Sequence, residues 1–236
     1  MIRKIFAITS ILFLTSCAEL QQVVDSLPQQ TGSILSNADI GAGLREALDL
    51  GIDKQVSKLT QKDGFYGNQF VKILLPEELK KVDKRLRDIG LNKLADEGLK
   101  ILNRAAEDAV GEATPIFINA VKGITFNDAK NILLGNDNAA TTYLQNGTKS
   151  ALYAKFNPVI KNSFAKVGAD KVWSNIITKY NSIPFVKKVN PDLTDYTTNQ
   201  ALKGVYTMIA LEEKEIRNKV GSRTTSLLQK VFALQD

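Results

Sequence analysis

Apolar residues recur at helical spacing along nearly the whole chain beyond residue 37. Leu44, Leu48, Ile52, Val56 and Leu59 form one ridge with steps of four and three, the signature of an amphipathic helix. Asp63-Gly64 breaks it, and Phe65 to Gln69 reads as a loop. Val71, Ile73 and Leu75 then alternate, which predicts a short extended segment before Pro76. Leu79, Val82, Leu86 and Ile89 predict a second helix, with Gly90 as its C-terminal cap. The longest helix is expected from Leu91 past Glu112, continuing to Val121 with a bend at Pro115. Its inward stripe reads Leu91, Ala95, Gly98, Leu102, Ala105, Ala109, Ala113, Ile116 and Ala120, and residues that small admit other helices closely.

Further along, Thr125 with Asp128 resembles a capping box opening a short helix that Gly135 closes. Leu152, Phe156, Ile160, Phe164 and Val167 mark another helix around Pro158, and Asn146-Gly147-Thr148 reads as a turn beside a helix start. Val172, Trp173, Ile176, Ile177 and Tyr180 mark the next. Pro184 and Pro191 bound a loop, Thr197 with Gln200 opens a helix to about Arg217, and Leu227, Leu228, Val231 and Phe232 pack a final turn or two. No solenoid-length period repeats. The expected fold is all-α: a single multi-helix bundle domain with a central small-residue-rich helix.

The first 36 residues follow a different rule. Arg3 and Lys4 precede an apolar run from Ile5 to Leu14 and the small pair Thr15-Ser16, the three parts of an export signal. The run is far short of the ~20 residues a spanning helix needs. Leu14-Thr15-Ser16-Cys17 closely resembles the bacterial lipobox, in which cleavage before the cysteine is accompanied by lipid attachment. The expected organisation is a lipoprotein signal peptide over 1–16, a lipid-anchored flexible linker over 17–36, and a helical domain over 37–236. Three acyl chains on Cys17 exceed the two-signal requirement for stable anchoring. The linker, rich in Gln and Ser, reaches roughly 60 Å stretched and roughly 25 Å as a coil. Localisation is therefore expected in the periplasm, on the outer membrane, since Ala18 rather than Asp follows the cysteine.

Composition narrows the chemistry. Cys17 is the single cysteine of 236 residues, so the mature chain forms no internal disulfide. Setting aside Arg3 and Lys4, the 31 basic residues fall to 29 against 25 acidic ones, a net of +4. That suits nearby anionic lipid or cell-wall polymer. No basic run with interleaved aromatics points to nucleic acid. Histidine is absent, which removes Ser-His-Asp triads, HExxH zinc sites and haem axial histidine together. No GxGxxG or GxxxxGK[ST] cradles a phosphate. "NDNAA" (136–140) and "DLTD" (192–195) lack EF-hand ligand order and read as loop or cap residues. Ser163-Phe164-Ala165-Lys166 fits SxxK, but its SDN and KTG companions are missing and the residues suit an amphipathic helix. A lytic transglycosylase would present its acid as Glu-Ser, a pair that does not occur. The expectation is a non-enzyme without metal or cofactor.

Several stretches together resemble a bacterial family of exported proteins and lipoproteins known only as a domain of unknown function, number 4197: "GLREALDLG" (43–51), "DGF" (63–65), "LNRAAEDA" (102–109), "ATTYLQNGT" (140–148), "IALEEKEIR" (209–217) and "SRTTSLLQKVF" (222–232). The resemblance covers about Ile40 to Phe232 and implies a helical periplasmic domain. It supplies no reaction, ligand or catalytic residue.

The same stretches put polar groups in awkward places. Glu213 falls on the apolar stripe Leu202, Val205, Tyr206, Ile209, Ile216, where a carboxylate must be paired or protonated. Arg217 stands one turn on; Arg104 and Arg223 are candidate partners across helices. Asn103 and Glu107 flank the small-residue stripe beside Arg104. Asn103, Arg104, Glu107, Glu213, Arg217 and Arg223 therefore form the candidate polar cluster, read first as ion pairing that fixes the packing and second as a polar cleft. The expected function is a binding or scaffold protein of the cell envelope, its partners the membrane through Cys17 and an envelope protein or lipid-like ligand. The alternatives are a carrier of an apolar or amphiphilic ligand between its helices and a glutamate-dependent cell-wall hydrolase.

Overall fold

The computed structural model describes residues 35–235 apart from 89, 91 and most of 170–191. The chain divides between Ile34 and Leu35, and the second unit is the one described. The expected signal peptide, Cys17 and nearly all of the expected linker lie outside the described residues, as does most of the helix expected over 172–180.

Among the described residues the fold is all-α, with eight α-helices and no strand: α1 (Asn37–Leu59), α2 (Glu77–Asp88), α3 (Asn92–Val110), α4 (Ala113–Lys122), α5 (Phe126–Leu133), α6 (Ala139–Lys166), α7 (Leu193–Asn218) and α8 (Ser226–Phe232). None of them is long and apolar enough to cross a membrane. The ridge Leu44, Leu48, Ile52, Val56, Leu59 is buried along α1, as its spacing predicts. Ser36 and Asp39 close a reciprocal capping box at its start, and Thr125 and Asp128 do the same for α5. In both boxes the hydroxyl and backbone N–H of the capping residue hold the aspartate carboxyl below its usual range.

The small-residue helix is central, packing against α1, α2, α6 and α7. Leu102, Ala105, Ala106, Ala109 and Val110 are all buried there. It is shorter than expected. The chain turns at Gly111 and Glu112 and restarts as α4, so Pro115 falls in a first turn rather than mid-helix. In the first turn a missing N–H costs no hydrogen bond, and the ring meets no preceding helical carbonyl. The buried face beyond the turn is Ala113, Phe117 and Val121, while Ile116 and Ala120 are only partly buried.

The longest helix is instead α6, of 28 residues, and Asn146-Gly147-Thr148 lies inside it rather than in a turn. Apart from Thr141, its buried residues, Ala140, Leu144, Thr148, Leu152, Phe156, Ile160 and Phe164, repeat every four positions. Each step of four overshoots a 3.6-residue turn by about 40°, so six steps carry the ridge about 240° around the helix. A winding ridge suits a helix that faces α3, α4, α5 and α7 in turn. Thr148 serves it as a buried residue because its hydroxyl lies 2.6 Å from the Leu144 carbonyl and 2.8 Å from the Tyr206 hydroxyl. Burial pushes the Tyr206 phenol above its usual range.

Helix α7 starts four residues before Thr197. Asp192 caps it, accepting from the Thr194 N–H at 2.8 Å, while Thr197 is fully buried. It runs opposite to α1: Lys54 and Gln55 donate to Glu212, and beyond the end of α1 the Phe65 ring lies against Gly204.

A Cβ on Gly204 would fall 2.6 Å from Phe65 Cε1 and 3.3 Å from Val71 Cβ, and both neighbours are buried. Gly147, by contrast, has nothing within 4 Å of a Cβ position. Gly204→Ala is expected to lose about 1–3 kcal/mol to overpacking, less the ~1 kcal/mol that alanine returns as a helix former. Gly147→Ala is expected to gain about 0.5–1 kcal/mol. Urea unfolding monitored by circular dichroism checks both; equal shifts of one sign would contradict the close approach at Gly204.

Candidate functional site

The six residues of the candidate cluster separate into two groups with different work. On α3, Asn103 is fully buried and its carboxamide pairs with both backbone groups of Ile73. Its Oδ1 accepts from the Ile73 N–H at 2.8 Å, and its Nδ2 donates to the Ile73 carbonyl at 2.9 Å and to Leu99 at 2.7 Å. One side chain thus does for the 71–75 segment what a neighbouring strand would do. That segment alternates as its sequence predicts, with Val71, Ile73 and Leu75 buried and Leu74 exposed, but it joins no sheet.

One turn along α3, buried Glu107 accepts from the backbone N–H of Phe65 at 3.1 Å and of Tyr66 at 3.4 Å. Its other oxygen meets Arg104 Nη1, whose Nη2 reaches Asp63 Oδ1 at 2.8 Å. Asp63 has a φ of 67°, the left-handed region that a non-glycine residue rarely occupies. The arginine holds its carboxylate on the outside of that turn. Together Asn103, Arg104 and Glu107 fix residues 63–73 onto the central helix.

Glu213, Arg217 and Arg223 form the second group, near the end of α7. Glu213 Oε1 accepts from the Ala140 N–H at 2.9 Å; Oε2 accepts from the Thr141 N–H and hydroxyl, both at 2.8 Å. Arg217, at the i+4 position, donates to Oε1 through Nε at 3.0 Å and Nη2 at 2.8 Å. It also donates to the carbonyls of Leu133 at 3.0 Å and Ile132 at 2.8 Å. Every group facing Glu213 in these bonds is a donor, and its two oxygens are used as acceptors. Asn138, the residue before α6, makes no side-chain cap bond of its own. The glutamate of α7 takes over that task, and the arginine caps the last carbonyls of α5.

Arg223 does not partner Glu213. It is buried, and donates to the carbonyls of Ile216 at 3.1 Å and Arg217 at 2.9 Å, closing the C-terminus of α7. Neither does Arg104, which serves Glu107 and Asp63. Of the three arginines considered for Glu213 from sequence, the local one is its partner.

Space beside the ion pair is small. The pocket lined by Leu44, Leu48, Ile209, Glu213, Ile216 and Arg217, with their neighbours, offers about 20 Å³, room for a single water. The SxxK serine is also engaged: Ser163 donates to Asp108 at 2.7 Å from the exposed end of α6. Among the described residues no group of three or more acidic, histidine or cysteine side chains is placed to hold a metal ion.

Glu213→Ala is expected to destabilise the protein by about 3–5 kcal/mol, because it leaves a buried guanidinium uncompensated and two helix N–H groups unpaired. Arg217→Met added to it should recover part of that loss and not all, since the N–H groups of Ala140 and Thr141 stay orphaned. Denaturant unfolding of the two single variants and the double variant measures the coupling. Additive losses would contradict the pairing.

No curated protein and no solved structure matches the chain. A family model does, over residues 34–233, a span that takes in all eight helices and both groups of polar residues. Its description is "Protein of unknown function (DUF4197)". The chain is a member of that family.

Proposed function

We propose that this protein is a lipid-anchored helical domain of the bacterial cell envelope that binds or scaffolds other envelope components and catalyses no reaction. The observation that carries the reading is the use made of the buried polar side chains. Asn103, Glu107, Glu213, Arg217 and Arg223 each bond backbone groups at a loop or a helix end, and Glu107 and Glu213 each bond an arginine besides. A glycosidase acid needs a carboxyl free to deliver a proton into an open cleft. Glu213 and Glu107 are enclosed and bonded on both oxygens. A carrier needs a cavity of several hundred Å³. The pocket between α1 and α7 has room for one water, and the spaces of about 400 Å³ or more among the described residues are open surface grooves.

The attachment rests on Cys17, which stands after an apolar run and two small residues where an export signal is cut. On this reading the chain is exported to the periplasm and held at the outer membrane. In cells fed an alkyne fatty acid, the wild-type chain is expected to be labelled and membrane-bound, and Cys17→Ser to lose both properties. A Cys17→Ser chain that stays labelled in the membrane fraction would overturn the anchor. Crosslinking in intact envelopes followed by capture of the chain identifies what it scaffolds.

A further inference from the structure

Between α1 and α2 run 17 residues, 60–76, without a helix or strand. Stretches of that length inside a compact domain are uncommon and usually carry function. This one is held rigid. Phe65, Val71, Ile73 and Leu75 are buried, and α3 grips its backbone through Asn103 and Glu107. From α7, the Tyr196 hydroxyl donates to the Leu74 carbonyl at 2.8 Å. A loop so constrained still leaves Phe70 60% and Leu74 53% exposed, against the cost of wetting them.

Around Phe70 the 61–70 turn and the end of α1 enclose an open groove of about 470 Å³. Lys58, Gln61, Lys62, Gln69 and Phe70 line it, with Asp63 at one side. Neither lysine has an ion-pair or hydrogen-bond partner among the described residues. The one carboxylate in the lining, Asp63, is taken by Arg104 at 2.8 Å. The Tyr66 ring is covered by Lys72 at 4.0 Å, so Phe70 is the ring left open. The groove therefore offers two uncommitted ammonium groups, two free amides and one exposed phenyl face on a fixed frame.

We propose that this groove binds a carboxylate-bearing glycan of the cell wall. The phenyl ring stacks on the C–H face of a pyranose, and the Gln61 and Gln69 amides bond its hydroxyl or acetamido groups. Lys58 and Lys62 pair with carboxylates borne along the polymer. A neutral apolar partner would leave both lysines unpaired, and a phosphate alone would make no use of the ring. The groove lies at the C-terminal end of α1, a helix about 35 Å long. The inference rests on the envelope reading above, and names the component bound there.

The test is co-sedimentation of the full acylated chain, in detergent, with purified peptidoglycan sacculi, native or with their carboxylates converted to amides. Wild type is expected to sediment with native sacculi and to be released by amidation and by raised salt. Lys58→Ala/Lys62→Ala and Phe70→Ala, all at exposed positions, are expected to bind at least about tenfold more weakly with unchanged circular dichroism. Lys149→Ala/Lys203→Ala removes the same charge from the groove between α6 and α7 and should bind as wild type does. Wild-type chain left in the supernatant, equal binding to amidated sacculi, or equal weakening by the two lysine pairs would each overturn the proposal. So would crosslinking of the groove to a protein without retention on sacculi. Fatty-acid labelling of the same preparation judges the anchor separately: unlabelled chain that still needs Lys58 and Lys62 to sediment would refute the anchor and uphold the groove.

Discussion

Two helix ends meet head to tail between Leu133 and Ala139, and the fold depends on how their unpaired backbone groups are satisfied. The last carbonyls of α5 carry partial negative charge, and the first N–H groups of α6 carry partial positive charge. Both are buried against α7, away from bulk water. Glu213 and Arg217, one turn apart on α7, present a carboxylate to the N–H groups and a guanidinium to the carbonyls while bonding one another. The pair sits at side-chain exposures of 6% and 4%, a burial that would be costly for either charge alone. Each ion is compensated twice, by its partner and by a helix end of opposite sign. That arrangement fixes α7 against α5 and α6, and Arg223 then closes α7 itself.

Buried polar side chains on α3 follow the same logic at the other end of α1. Small residues bring neighbouring backbones close to α3, and closeness leaves no room for water to satisfy the 63–73 segment. Asn103 supplies one donor and one acceptor to Ile73, and Glu107 accepts from Phe65 and Tyr66. A leucine at either position would fill the volume and strand the backbone, at about 1–3 kcal/mol for each orphaned group. These polar groups specify where an irregular segment lies, which apolar packing alone leaves degenerate.

Much of this was legible in the sequence because it is local. Ridges of apolar residues marked α1, α2 and α8, capping boxes write themselves within four residues, and Gly90 does take a positive φ of 84° after α2. The Glu213–Arg217 pair is local too, at i+4 spacing on an apolar stripe. What the sequence hides is non-local. Helix α6 has no N-cap signal of its own because its cap lies 72 residues away on α7, and its period-four ridge with Gly147 inside imitates a turn. The break before α4 escaped because alanines on both sides of it continue one stripe, and only Gly111 and Pro115 interrupt it. Six polar residues read as one cluster proved to be two, since face and register do not tell which end of a bundle a side chain reaches.

The division of labour between inside and outside follows from those contacts. A buried carboxylate whose oxygens both accept from fixed donors has little freedom to move a proton, and a guanidinium bound to carbonyls and carboxylate has no face left for a ligand. Rigidity is what such residues supply. On α3 it is delivered to one irregular surface segment, whose backbone is pinned from within while Phe70 and Leu74 point outward. A loop kept only for connection could be short, polar and mobile at far smaller cost in buried polar atoms. Holding an aromatic side chain in water on a frame built from two buried hydrogen-bonding residues, Asn103 and Glu107, makes physical sense where the frame has to present it in one place.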